Sequence, residues 1–96
     1  MTTLNEIIHQ PVRLRIMATL VALDEGIELD FTALREMLDL TDGNLGAHLR
    51  KLEDAKYVAV KKIFVGRKPR TFISVSSFGR TAFDKHVSAL EEILKS

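Results

Sequence analysis

Arg67, Lys68 and Arg70 crowd around Gly66 and Pro69, with Lys61 and Lys62 a few positions earlier. Guanidinium and ammonium groups gathered at a turn can follow a line of phosphates, because each neutralises a charge and releases a counterion. A second set lies upstream: Thr41, Gly43, Asn44, Ala47, His48, Arg50 and Lys51. The amide of Asn44 carries a donor and an acceptor side by side, the pairing an adenine edge presents, while Arg50 or Lys51 can reach guanine or phosphate. Gly43 and Ala47 between them keep a surface low enough for close approach. An ordinary solvated surface would account for either set alone.

Other chemistry finds no constellation. The chain has no cysteine, which removes disulfides, thiolate metal sites and cysteine nucleophiles together. Ser74, Ser76 and Ser77 fall at a strand end and a helix cap. The acidic pairs Asp24/Glu25 and Glu91/Glu92 are adjacent, so local geometry splays them, and there is no Gly-rich phosphate loop. Asp84-Lys85-His86 faintly resembles half of a metal site, but its outer residues stand about 200° apart on a helix. His9 and His48 have no ligand neighbours in sequence. No catalytic residue, metal or cofactor is expected, and the chain is not read as an enzyme.

The net charge of +1 conceals a strong partition. Residues 1–49 hold three basic against eight acidic side chains, a balance of −5. Residues 50–70 hold eight against two, a balance of +6, and residues 71–96 are even at three and three. That segregation makes a local positive face on a nearly neutral chain, as a polyanion-binding surface requires. With 46% apolar and 28% charged residues, the 96-residue chain is composed like one globular domain, read as 1–96. No apolar run is long enough for a bilayer and no leader opens the chain, so a cytoplasmic protein with no membrane partner is expected.

The elements that must position these groups follow from periodicity. Leu4, Ile7 and Ile8 lie at helical spacing and predict a short opening helix. Pro11 suits the first turn of a second helix, ended by Asp24-Glu25-Gly26, so that residues 4–23 form the N-terminal helices. Ile27-Glu28-Leu29 can form only a brief strand. Asp30 is a good N-cap for a helix carrying Phe31, Leu34 and Leu38 on one face, and Thr41 for another carrying Leu45, Leu49 and Leu52. Two short helices around a tight corner, the second narrow in its apolar stripe, describe a helix-turn-helix over 30–54. Tyr57–Val60, Ile63–Val65 and the alternating Thr71–Val75 then predict a β-hairpin over 57–75, with turn chemistry from Val65 to Arg70 and Pro69 at the loop or strand edge. Ser76 or Ser77 caps a last helix, 77–94. The order is α-α-β-α-α-β-β-α, an α+β, mostly helical winged helix-turn-helix.

With these elements placed, Leu40–Leu45 and His48–Glu53 resemble the helix-turn-helix of small winged-helix regulators related to the MarR and ArsR groups. His9–Ile16, Val65–Thr71 and Ser76–Arg80 resemble the opening, the wing and the start of the last helix in the same proteins. The likeness spans nearly the whole chain. It implies a homodimer, a recognition helix in the major groove, and a wing (Lys62, Arg67, Lys68, Arg70) on the adjacent backbone or minor groove. Lys56 departs from the group, which often has Gly there. If Lys56 must turn left-handed, the cost is roughly 1 kcal/mol.

Phe83, Val87, Leu90 and Leu94 follow a coiled-coil seam on the last helix. Pairing of that seam with Leu4, Ile7 and Ile8 of a second copy is expected, with docking onto the chain's own core as the alternative. Two-fold symmetry would set two recognition helices about 34–36 Å apart on a pseudo-palindromic operator. The expected function is a sequence-specific regulator of transcription that binds double-stranded DNA, more often a repressor in this group. The alternative is a winged-helix interaction module whose basic hairpin binds an acidic protein, and non-specific DNA coating is a third. No residue points to an effector ligand.

Overall fold

Each helix starts where a side chain satisfies its first free N–H groups. In the computed structural model, which describes residues 3–96, α1 (Pro11–Val21) is capped by Gln10, whose side-chain oxygen accepts from Arg13 N–H at 2.9 Å, with Pro11 at its first position. Asp30 caps α2 (Phe31–Leu38), Thr41 caps α3 (Asp42–Asp54) and Ser76 caps α4 (Ser77–Lys95), all through side-chain oxygens. The C-terminal ends of α2 and α3 close on left-handed residues. Asp39 has φ +54° and Lys56 +66°, and the next N–H in each case reaches back to a helical carbonyl, Leu40 to Arg35 and Tyr57 to Leu52. This is the wrap usually given to glycine. Lys56 therefore does adopt the left-handed conformation, in the place where related proteins often have Gly.

Three strands, β1 (Leu29–Asp30), β2 (Val58–Val65) and β3 (Lys68–Val75), form an antiparallel sheet in the order β1-β3-β2. The β2–β3 ladder runs unbroken from Val58 opposite Val75 to Val65 opposite Lys68. The turn is therefore only Gly66-Arg67, with Gly66 at φ +65°, and not the longer Val65–Arg70 segment expected. Pro69 sits inside β3 opposite Phe64, beyond the reach of β1, so its missing N–H breaks no pairing on that side.

The expected opening helix does not form. Residues 6–8 make a single turn, in which the Asn5 side chain accepts from Ile7 and Ile8 N–H. Pro11 then starts α1 three residues later, too soon for a second turn to grow. The described elements run α-β-α-α-β-β-α. Ile8 is fully buried, joining Ile16, Met17, Leu20, Leu34, Leu45, Leu52 and Ile73 in one core. It is therefore corrected from the expected dimer surface to the interior of its own chain.

Two arginines knit the helices. Arg80 on α4 donates to Val21 O and Leu23 O, covering carbonyls at the end of α1, and Arg15 on α1 donates to Leu38 O at the end of α2. Gly79, in the first turn of α4, lies against the Tyr57 carbonyl so closely that a Cβ would approach within 2.1 Å. No helix of the described residues is long and apolar enough to cross a membrane.

Candidate nucleic-acid interface

Thr41 sets the start of the candidate recognition helix by accepting Asn44 N–H at 3.1 Å. The Asn44 side chain itself is exposed. Leu45, Leu49 and Leu52 anchor α3 in the core, so Gly43, Asn44, Ala47, Arg50 and Lys51 face outward as expected. Asp42 is exposed in the first turn and accepts from Arg35 Nε at 2.9 Å. This ion pair ties the two helices of the helix-turn-helix together and gives the carboxylate a partner besides the helix dipole.

His48 is half-buried at the edge of this face. Arg13 Nη1 lies 3.3 Å from its Nδ1, which must accept because a guanidinium only donates. Burial first, and then the Arg13 charge, hold the ring below the usual histidine range. His48 is thus a neutral boundary residue held from behind.

The wing projects from the body, and every residue from Lys61 to Arg70 is exposed. The ladder register divides its side chains. Residues directly opposite share a face, so Val58, Val60, Lys62 and Phe64 lie with Val75, Ile73, Thr71 and Pro69. This face turns towards α3, where a cleft of about 570 Å³ is lined by Gly46, Arg50 and Glu53 of α3 and by Val60, Lys62 and Thr71 of the sheet. Lys68 and Arg70 alternate onto the opposite face, while Arg67 occupies the turn. Arg70 donates through Nε and Nη2 to Asp30 Oδ2 at 2.9 and 2.6 Å and lies over the Phe72 ring. The pair anchors the hairpin to the start of α2, while the Arg70 side chain stays 47% exposed.

Among the described residues, Arg50, Lys51, Lys62, Arg67 and Lys68 make no ion pair. They are uncompensated cations on the α3 and wing surface. Gly46, Glu53 and Thr71 were missed in sequence, since only the fold brings them to one cleft. Gly46 carried a weak signal. It is a second glycine in a helix where each costs about 1 kcal/mol relative to alanine, and a Cβ there would meet nothing within 4 Å.

The last helix divides as well. Phe83 packs on the core, Val87 and Leu90 are half-buried, and Leu94 is 82% exposed. Leu4 and Ile7 are half-buried. Asp84 is exposed while His86 is buried, and among the described residues no three His, Asp or Glu side chains gather as a metal would require.

A helix-turn-helix followed by a β-hairpin that extends beside its second helix defines the winged-helix class. The chain belongs to the winged helix DNA-binding domain family, whose model matches residues 12–94. It is similar to the uncharacterized protein MJ0432 of Methanocaldococcus jannaschii, at 35% identity over 91 residues, covering 95% of this chain and 96% of that one. Among solved structures it is similar to a transcriptional regulator homologue from Pyrococcus horikoshii OT3, with a TM-score of 0.85 and 33% identity over 95% of this chain and 87% of that one. The fold also matches MepR of S. aureus, solved as a DNA complex, with a TM-score of 0.67 and 19% identity over 83% of this chain and 63% of that one. The resemblance carried by the four sequence motifs is upheld at the level of family and fold.

Proposed function

We propose that this chain is a transcriptional regulator, acting as a repressor, that binds a pseudo-palindromic duplex as a homodimer. In this reading α3 enters the major groove, where Asn44 and Arg50 read base edges, and Lys51 and Lys62 hold phosphates on either side. Arg67 and Lys68 follow the backbone beyond. The observation that carries it is the cleft between α3 and the wing, with unpaired Arg50 and Lys62 on facing elements. A phosphate strand passing between them would meet a cation from each side. Gly43 and Gly46 support the same reading, because no internal contact requires either to be small.

A homodimer is supported by the exposed Ile93 and Leu94 at the end of α4, apolar side chains that the described core leaves uncovered. Selection of bound duplexes from a random pool, followed by titration across a salt series, tests the proposal. Enrichment of a two-fold symmetric motif, with affinity falling as salt rises, is the expected result. Enrichment of no sequence, or affinity indifferent to salt, overturns it.

A further inference from the structure

The wing's cleft-facing side ends in an apolar pair. Phe64 is 75% exposed, and Pro69 stands directly opposite it on β3. On the same face, two residues nearer the body, are Lys62 and Thr71, which line the cleft against α3. Each two-residue step advances about 6.6 Å along a strand, so Phe64 lies just beyond the cation proposed to hold the strand beside α3. At the turn Arg67 adds a second cation beyond Lys62, with Lys68 on the opposite face, and neither Arg67 nor Lys68 is paired with a carboxylate among the described residues. Nothing in the fold needs this ring. β2 and β3 meet the core through their other ends, at Val58, Val60, Ile73 and Val75.

An exposed apolar side chain flanked by Lys62 and Arg67 suits a polyanion that also presents an apolar surface. Duplex DNA does so in its minor groove, whose walls are deoxyribose C–H groups and whose base steps admit apolar wedges. With α3 in the major groove, a hairpin reaching past the flanking phosphates arrives at the neighbouring minor groove. We infer that Phe64, backed by Pro69, is a wedge that seats in the minor groove beside each half-site. It sets a preference for sequences whose groove opens easily, while Arg67 and Lys68 hold the phosphates on either side. This rests on the regulator reading and extends it to a residue that carries no charge.

The test compares the full-length protein with Phe64→Ala and Phe64→Leu on the selected duplex, by titration across a salt series and by hydroxyl-radical footprinting, which reports minor-groove access. Circular dichroism checks that the variants fold. Phe64→Ala is expected to bind about tenfold to a hundredfold more weakly per half-site, the range given by losing burial of one large apolar side chain. Its salt slope should not change, and protection should vanish only on the outer flanks of the half-sites. Phe64→Leu should keep most of the affinity. Wild-type affinity and flanking protection in Phe64→Ala overturn the wedge alone. A wild-type protein that binds no duplex overturns the regulator reading beneath it.

Discussion

The carboxylate of Asp30 joins two elements at once. Its Oδ1 accepts from Thr32 and Ala33 N–H at 2.8 and 3.3 Å, capping α2, while its Oδ2 receives the Arg70 guanidinium from β3. The hydrogen bond from Arg70, aided by those backbone N–H groups, holds the acid below the usual carboxylate range against the opposing effect of desolvation. One side chain thereby fixes where the helix-turn-helix begins and where the wing leaves the body.

From this, Asp30→Ala should destabilise the protein by about 1–2 kcal/mol, as loss of a helix cap does, and Asp30→Asn by less because an acceptor remains. Urea denaturation measures both. The same pairing separates two wing cations. Lys62→Ala should lower the salt slope of DNA binding by about 1 per half-site, whereas Arg70→Ala should leave that slope nearly unchanged and act on stability. Equal slope changes in the two variants would contradict the anchoring role of Arg70.

Two glycines should respond oppositely to alanine. Gly46→Ala is expected to stabilise the fold by about 0.5–1 kcal/mol, since its Cβ meets nothing and helical backbone entropy is saved. It should nevertheless weaken DNA binding about tenfold. Gly79→Ala should destabilise by about 1–3 kcal/mol, because its Cβ would approach the Tyr57 carbonyl within 2.1 Å and backbone must move. Thermal melts with parallel DNA titrations would show both signs.

Stability should fall with acid through the buried histidine of α4. His86 Nδ1 accepts Asn5 N–H at 3.1 Å, so its proton sits on Nε2, which is buried with no partner among the described residues. Burial, and then the charge of His9 alongside, lower its pKa in the fold, and His48 is lowered too. The unfolded rings titrate near 6.5, so below that pH the unfolded chain binds more protons than the native one. Stability from these groups is complete above pH 6.5, falls as pH drops below it, and levels off once the folded rings protonate. His86→Asn, whose side-chain oxygen can replace Nδ1 as acceptor, should flatten part of this fall in urea denaturation between pH 7 and 5.

Assembly should depend on the exposed end of α4. Leu94→Glu is expected to shift the protein from dimer to monomer in sedimentation and to raise the dissociation constant for a symmetric duplex at least tenfold. Its far-UV spectrum should stay native, because Leu94 lies outside the core. A wild type that sediments as a monomer would refute the proposed homodimer.

Much of the basic region was legible in advance because it depends on local rules. The caps at Asp30 and Thr41, a cap at Ser76 or Ser77, and the outward face of α3 each follow from residues within one or two turns of one another. Local spacing misled at the N-terminus. Leu4, Ile7 and Ile8 have helical periodicity, yet one turn capped by Asn5 suffices to drop Ile8 into the core, and Pro11 begins α1 at once.

The basic hairpin and the helix before it were therefore determined by the sequence alone, down to the residues that carry the charge. Which of those charges are available was decided by the tertiary structure. Strand register alternates Lys62 and Phe64 to one face and Lys68 and Arg70 to the other, and a residue forty positions away takes Arg70 out of the free set. Gly46 acquires its place in the cleft only when α3 packs beside the wing. Side-chain type and local capping are properties of short segments, whereas pairing and exposure arise from long-range packing that no local pattern encodes.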